Sequence, residues 1–133
     1  MMFATDTVPQ NTDELKWYLS QKIEEVDRRQ QECKVELYKL NDLEEEFQWQ
    51  NKQRKELNDY LLEMNNESKD ARLQELLLEQ EDMLYQESIQ EEVMFSECRD
   101  ELNNAFTEME IQKDEYYAQI RQADIGERTK YEG

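Results

Sequence analysis

The side chains that could carry chemistry in this chain are carboxylates and two cysteines. Carboxylates run together at Glu44-Glu45-Glu46 and at Glu91-Glu92, where a metal ion or an acid–base pair could be imagined. A metal site in a helical bundle needs inward ligands from several helices, so we interpret both runs as solvated helix surface. The sequence contains no histidine, which excludes Ser/His and Cys/His nucleophile pairs and Glu-x-x-His ligands. We therefore predict no enzymatic activity, no catalytic or metal-binding residues, no cofactor and no small-molecule substrate.

The number of cysteines and the length of the apolar runs indicate the cellular compartment of the protein. Cys33 and Cys98 are too few for a disulfide framework or a zinc site, and we interpret them as reduced, small core residues, with a redox-linked disulfide as the alternative. No apolar run reaches the length of a membrane-spanning helix, and the first residues lack the basic start and apolar core of a signal peptide. The sequence thus predicts a cytoplasmic protein without membrane insertion.

The net charge narrows the range of partners. The 133 residues include 34 acidic and 16 basic side chains, which gives a formal net charge of −18. Such a surface repels nucleic-acid phosphates and anionic lipids, so we predict no nucleic-acid partner, with an acidic DNA mimic as the alternative. The mean hydropathy is −1.15 although 37% of the residues are hydrophobic. That combination is typical of long amphipathic helices that bury only a narrow stripe.

Helix-breaking residues are almost absent, which determines the predicted fold class. Pro9 is the single proline, and Gly126 and Gly133 are the two glycines. Folds that contain β-strands need frequent turn residues and are therefore excluded. Asn, Ser and Asp side chains concentrate at 65–70, and such side chains favour a turn. We predict an all-α fold, an elongated antiparallel two-helix hairpin of the coiled-coil kind, over 12–122.

The predicted turn divides this hairpin into arms of equal length. We predict a disordered N-terminus at 1–11, a helix at 12–64, the turn at 65–70, a helix at 71–122 and a flexible C-terminal tail at 123–133. Residue numbers of partners across the pair should then sum to about 135. The alternative is one continuous helix in a parallel dimer, because nothing in the turn segment strictly forbids a helix.

Apolar residues at alternating spacings of four and three mark a buried stripe on each helix. In the first helix the predicted stripe is Leu19, Ile23, Val26, Gln30, Cys33, Leu37, Leu40, Glu44 and Phe47. A phase shift near 40–43 then continues it as Leu57, Leu61 and Met64. In the second helix the predicted stripe is Leu77, Glu81, Leu84, Ser88, Glu91, Phe95, Cys98, Leu102, Ala105, Met109, Gln112 and Tyr116.

Large apolar side chains remain outside these stripes. On the first helix they cluster within roughly 60°, on the side away from its stripe; they are Trp17, Val35, Tyr38, Trp49 and Tyr60. The second helix adds Leu78, Tyr85, Ile89 and Val93. Aligned aromatic residues are typical of a contact surface, and a lone two-helix hairpin buries too little surface to be comfortably stable. We predict that these nine residues bind partner helices.

An unbroken, acidic helical pair without a signal peptide resembles a known family. The chain is similar, over about residues 12–122, to the small LXG-associated α-helical (Lap-type) proteins of Gram-positive type VII secretion systems, which are distantly similar to Esx/WXG proteins. The family's aromatic-x-x-x-acid export motif is most nearly matched by Phe106-Thr107-Glu108-Met109-Glu110. The resemblance implies a heteromeric adaptor or targeting chaperone. It would bind the helical N-terminal domain of an LXG toxin together with a second small helical protein and help the toxin's export, with co-export as a further implication.

Two other functions remain open from the residues alone. A structural coiled-coil homo-oligomer would pair its aromatic stripes with each other. An escort of the type III or flagellar export kind is also a hairpin of long helices, but such proteins tend to be basic, whereas this chain carries a net charge of −18.

Overall fold

The computed structural model describes residues 11–132. It contains two α-helices, α1 (Thr12–Ser68) and α2 (Ala71–Glu132), which pack against each other as a hairpin. No strand occurs among the residues described. The predicted all-α hairpin is confirmed, and the alternative of one continuous helix is wrong, because the chain reverses between Ser68 and Ala71.

α1 begins where the sequence supplies a cap. The side chain of Asn11 accepts a hydrogen bond from the backbone amide of Glu14 at 2.7 Å, which satisfies one of the amides that lack partners at a helix start. Asp13 and Glu14 add negative charge at the positive end of the helix dipole. Apart from Asn11, the N-terminus predicted to be disordered at 1–11 lies outside the described residues.

The reversal between the helices is shorter than predicted. α1 continues to Ser68, and Lys69 then takes a left-handed backbone conformation with a φ of 52°. The amide of Lys69 donates to the carbonyl of Asn65 at 2.7 Å. Asp70 caps α2, because its carboxylate accepts hydrogen bonds from two backbone amides of the first turn. Residues 65–68 of the predicted turn are therefore helical.

The C-terminal end of α2 also differs from the prediction. The helix runs through Gly126 to Glu132, so the flexible tail predicted at 123–133 is wrong as far as Glu132. A glycine lowers helix propensity without forbidding a helix. Lys16 of α1 forms ion pairs with two acidic side chains of this segment, so the last turns of α2 contact α1.

The hairpin divides into two compact units. We name them the terminal half, which comprises the described residues of Met1–Val35 and Asn103–Gly133, and the turn half, Glu36–Leu102. Each half contains a part of α1 and a part of α2, so each has its own section of the buried stripes.

The terminal half has a mainly apolar interior. Its buried side chains follow the predicted stripe of α1 and are Leu19, Ile23, Val26, Gln30 and Cys33. The one polar member, Gln30, donates from Nε2 to the carboxylate of Glu110 at 2.6 Å. The same nitrogen lies 3.5 Å from the backbone oxygen of Phe106. The buried amide thus finds its partners on α2, as buried polar groups require.

The turn half has a more polar interior. Throughout this half, which lies entirely within the described residues, the buried apolar side chains are Leu77 and Phe95, and the buried polar ones are Asn58 and Asn65. Phe95 meets the half-buried Phe47 edge-on, with 5.4 Å between the ring centroids. Apolar packing in this half therefore rests on few side chains.

The buried stripe of α1 keeps its spacing towards the turn. Beyond Phe47 the alternation of four and three residues gives positions 51, 54, 58, 61 and 65. Asn51 is half-buried and Asn58 and Asn65 are buried, whereas the intervening Arg54 and Leu61 are exposed. The predicted phase shift is wrong, since Leu57 and Met64, which only the shifted pattern contains, are exposed. Leu61, which both patterns contain, is exposed as well. A shift requires local overwinding of the supercoil, and here the asparagines occupy the unshifted positions. On α2 the predicted stripe is buried or half-buried except at Glu81, which is exposed.

The two helices pair in a different register from the predicted one. In the terminal half Lys113 pairs with Asp27 at 2.7 Å, and in the turn half Arg99 donates to Asn41 at 3.2 Å. The residue numbers of each pair sum to about 140 rather than 135, as expected for antiparallel helices joined at Lys69. The register prediction was wrong because the turn lies a few residues later than expected.

Candidate interaction surface

The carboxylate runs belong partly to the helix pairing. Glu44 is half-buried and accepts a hydrogen bond from Arg99 at 2.7 Å, and Glu91 accepts one from Asn51 at 2.6 Å. Their neighbours in the runs are exposed, as predicted for solvated surface. Among the described residues, no group of three or more histidine, cysteine or acidic side chains is placed to hold a metal ion.

Both cysteines lie on the packed stripes. Cys33 is buried and Cys98 is half-buried. These positions agree with the interpretation of both thiols as small core residues, because an unmodified cysteine packs as a small hydrophobic side chain.

The five predicted binding residues of α1 are exposed. Trp17 and Val35 belong to the terminal half, and Tyr38, Trp49 and Tyr60 belong to the turn half. Trp17 is 66% exposed and Tyr38 is 71% exposed, which are large values for aromatic side chains that bring apolar area to a core. Packing within the hairpin therefore does not account for these side chains, and their role in partner binding stays a prediction.

The four predicted binding residues of α2 all lie in the turn half and are also exposed: Leu78, Tyr85, Ile89 and Val93. Tyr85 borders an open groove of about 440 Å³ between the helices. Lys52 and Lys55 border the same groove from α1. Glu81 and Asp82 border it from α2, so the groove is lined by an aromatic ring and by side chains of both charges.

Exposed apolar surface and negative charge are both concentrated in the turn half. Fifteen of the twenty large apolar side chains that are exposed among the described residues lie there. The turn half carries 20 acidic and 7 basic residues, a net charge of −13, against −5 for the rest of the chain. Large exposed apolar patches usually mark contact surfaces, so the turn half is the stronger candidate for an interaction surface.

Sequence reasoning missed one part of this surface, next to the turn. Arg54 and Glu87 form an ion pair, with 3.3 Å between nitrogen and oxygen. Steps of three and four residues from Arg54 towards the turn stay on the same side of α1. Equivalent steps back from Glu87 stay on the same side of α2. The exposed apolar side chains reached in this way are Leu57, Leu61 and Met64 on α1, and Leu73, Leu76 and Met83 on α2. Asn58 and Leu84, which other such steps reach, are buried and half-buried and lie at the inner edge of this surface.

We name these six residues the turn face. In the register of the hairpin, Leu57 is level with Met83, and Met64 is level with Leu76. The sequence does contain a signal for the α1 part of this surface, the apolar residues Leu57, Leu61 and Met64, but their spacing predicts burial between the helices. The structure buries Asn58 and Asn65 instead and leaves these apolar residues exposed.

The asparagines beneath this region are incompletely satisfied. Asn58 donates from Nδ2 to the backbone oxygen of Leu77 at 3.2 Å, and Asn65 donates to the backbone oxygen of Asp70 at 2.9 Å. The side-chain oxygens of both asparagines are buried and accept no hydrogen bond from the described residues. A buried acceptor without a donor costs about 1–3 kcal/mol. The turn half therefore buries costly polar groups while leucines on the same helix are exposed.

The proposed export motif contributes to helix pairing in the terminal half. Phe106 and Glu110 are half-buried within α2. The ammonium of Lys34 lies 5.6 Å from the centroid of the Phe106 ring, and the carboxylate of Glu110 accepts the hydrogen bond from Gln30. Both side chains thus contact groups of α1, and their role in export stays a prediction.

Interhelical hydrogen bonds shift several pKa values in the terminal half. The hydrogen bond from Gln30 lowers the pKa of the Glu110 carboxyl below 4.5, against the opposing effect of desolvation. The hydrogen bond to Asp27 raises the pKa of Lys113, and the one to Asp124 raises the pKa of Lys16. In each case the charged form is favoured by a partner on the other helix.

Comparison of the chain with models of protein families, with curated proteins and with solved structures found no match. Neither helix, over the residues described, is long and apolar enough to cross a membrane.

Proposed function

We propose that this chain is a non-enzymatic adaptor, a targeting chaperone that binds the helical N-terminal domain of a type VII-secreted LXG toxin and helps its export. The observation that carries the proposal is the surface of the turn half, where exposed large apolar side chains coincide with a net charge of −13. A second small helical protein completes the complex. The adaptor acts in the cytoplasm and accompanies its partner to the export machinery.

Weak internal packing supports a binding role. In the described part of the chain, six apolar side chains are buried. Small scaffolds need additional support from disulfides, metals or association. A partner helix that covers the exposed aromatic and aliphatic side chains would supply the missing apolar burial, which stabilises a complex by about 25 cal/mol for each Å² removed from water.

The charge distribution favours a heteromeric complex over a homo-oligomer. Two turn halves brought together would each carry a net charge of −13, and like charges across an interface are costly. A structural homo-oligomer is therefore the second candidate, supported by the exposure of the aromatic side chains on both helices. The escort of the type III or flagellar kind has no observation in its favour beyond the hairpin itself.

Co-purification tests the proposed function. The full chain is co-expressed with the helical domain of an LXG toxin and a second small helical protein from the same locus, and we expect a stable complex. Truncating an aromatic anchor typically costs about 2 kcal/mol or more in binding. The double variant Tyr38→Ala with Trp49→Ala should therefore lose the complex while its circular dichroism stays unchanged.

Tyr117→Ala is the matched control. Tyr117 is 45% exposed and lies in the terminal half, outside the predicted binding residues, so this variant should co-purify normally. Failure of the wild-type chain to capture the toxin domain would refute the proposed function. Normal binding by the double variant would refute the role of the aromatic residues.

A further inference from the structure

We propose that the turn face binds one amphipathic helix whose apolar side is flanked by lysine and arginine. This inference rests on the proposed function, since it assigns to the adaptor a second surface and the chemistry of the partner that covers it. The surface consists of aliphatic and thioether side chains and shares no residue with the predicted binding stripes. Methionine side chains adapt to irregular apolar partners, and two of the six residues are methionines.

The geometry of the turn face fits a helix. Its two stripes run side by side from the Arg54–Glu87 ion pair to the turn, one on each helix of the hairpin. The exposed fractions range from 41% at Leu61 and Leu73 to 62% at Met83. Two neighbouring helices with apolar residues at three- and four-residue spacing leave a shallow groove that accepts the apolar stripe of a third helix.

The polar interior beneath the turn face favours an external partner. Rotation of α1 to bury the leucines would remove Asn58 and Asn65 from the interior, where each has an oxygen without a donor. The structure instead keeps the asparagines inside, and their amides bond to the backbone oxygens of Leu77 and Asp70. The leucines are thereby left available to another chain.

Charge complementarity identifies the chemistry of that chain. Between positions 56 and 83 the sequence contains nine acidic and two basic residues. A second copy of this chain would bring the same negative charge, and an anionic membrane surface would be repelled as well. A helix with basic flanks gains electrostatic attraction at the rim while its apolar stripe covers the leucines and methionines.

A designed peptide tests this inference with the full chain. The probe is a fluorescent helical peptide of about 18 residues, long enough to span roughly 27 Å, with leucines on one side and lysines and arginines on its flanks. A scrambled peptide of the same composition and a peptide with glutamate in place of the basic residues are the comparisons. We expect the amphipathic basic peptide to bind at least about tenfold more tightly than either, a margin of about 1.4 kcal/mol. Added salt should weaken its binding.

Two sets of substitutions locate the binding. The variant Leu57→Gln, Met64→Gln, Leu76→Gln should lose at least about tenfold in affinity. All three positions are exposed, so its helicity should be unchanged. The control variant Ile111→Gln, Ile125→Gln changes side chains of the terminal half that are 54% and 62% exposed, and it should bind as the wild type does.

Several results would overturn the inference. They are equal binding of the amphipathic and scrambled peptides, an equal loss in both sets of variants, or absence of binding. A dimer of the wild-type chain in sedimentation that the turn-face variant dissociates would make a second copy the occupant. The proposed function is judged separately, because the turn-face variant keeps Tyr38 and Trp49, and toxin capture that depends on them survives a negative peptide result.

Discussion

The terminal half and the turn half both pack α1 against α2, but they bury different kinds of residue. Both pair α1 with α2 through a stripe at four- and three-residue spacing. In the terminal half the stripe buries Leu19, Ile23 and Val26, and its polar member Gln30 is bonded to Glu110. In the turn half the stripe buries Asn58 and Asn65, whose side-chain oxygens have no donor among the described residues.

The arrangement of the terminal half favours stability of the hairpin, whereas that of the turn half favours contact with a partner. The terminal half buries Leu19, Ile23 and Val26 and exposes five large apolar side chains among its described residues, against fifteen in the turn half, so it is suited to holding the helices together. The turn half places polar groups inside and most of its large apolar side chains outside. Burying polar groups and exposing leucines lowers the stability of the isolated chain. Such departures from the usual pattern of apolar interior and polar surface are most often found at functional sites.

The largest effect on the free energy of unfolding is expected when a buried leucine is replaced, in comparison with an exposed leucine of the same helix. Leu19 is 2% exposed and Leu61 is 41% exposed. Leu19→Ala should lower the free energy of unfolding by about 2–4 kcal/mol, since a fully buried leucine leaves a cavity. Leu61→Ala should change it by less than about 1 kcal/mol. Urea unfolding followed by circular dichroism measures both, and equal losses would show that Leu61 belongs to the core.

Replacement of the buried polar residues should give effects of opposite sign in the two halves. Asn58→Leu removes a buried oxygen without a donor, so we expect the free energy of unfolding to rise by about 1 kcal/mol. Gln30→Leu removes the hydrogen bonds that the buried amide donates to Glu110 and to the backbone oxygen of Phe106, so we expect the free energy of unfolding to fall.

Thermal unfolding of both variants beside the wild type provides the measurement. A loss of stability in Asn58→Leu would mean that the hydrogen bond to the Leu77 backbone oxygen outweighs the unsatisfied oxygen. The buried polar residues of both halves would then contribute to stability, and the contrast between the two interiors would be smaller than their hydrogen bonds indicate.

The smallest expected effect is a pH dependence that belongs to the terminal half. The pKa of Glu110 is lowered in the folded chain, so its ionised form contributes stability above the ordinary pKa of 4.5 and loses it as the pH falls through the lowered pKa. The stability difference between the wild type and Glu110→Gln should therefore be constant near neutral pH and shrink below about 4.5.

Melting temperatures of the two proteins between neutral and acidic pH check this expectation. Glu92→Gln changes an exposed carboxylate of the turn half and serves as the control. A difference between wild type and Glu110→Gln that persists unchanged in acid would exclude the carboxylate of Glu110 as its source.

Much of the hairpin could be predicted from the sequence, because the relevant signals are local. Asn11 caps α1, a cluster of Asn, Ser and Asp lies beside the reversal, and leucine, isoleucine and valine at heptad spacing mark the stripe of the terminal half. The exposure of the nine predicted binding residues also agrees with their positions on the outer sides of the helices. The turn itself was placed too early, because Asn and Ser tolerate a helix as well as a turn.

The sequence alone determined that this chain is helical, reverses once near its middle and carries a strongly negative surface, since composition, capping residues and breaker residues act over a few positions. Only the tertiary structure decided the register near 140 and the choice between Leu57 and Asn58 as a buried residue. Both depend on packing between side chains that lie far apart in the sequence. In the turn half, that packing buries Asn58 and Asn65 and leaves the turn face in contact with solvent.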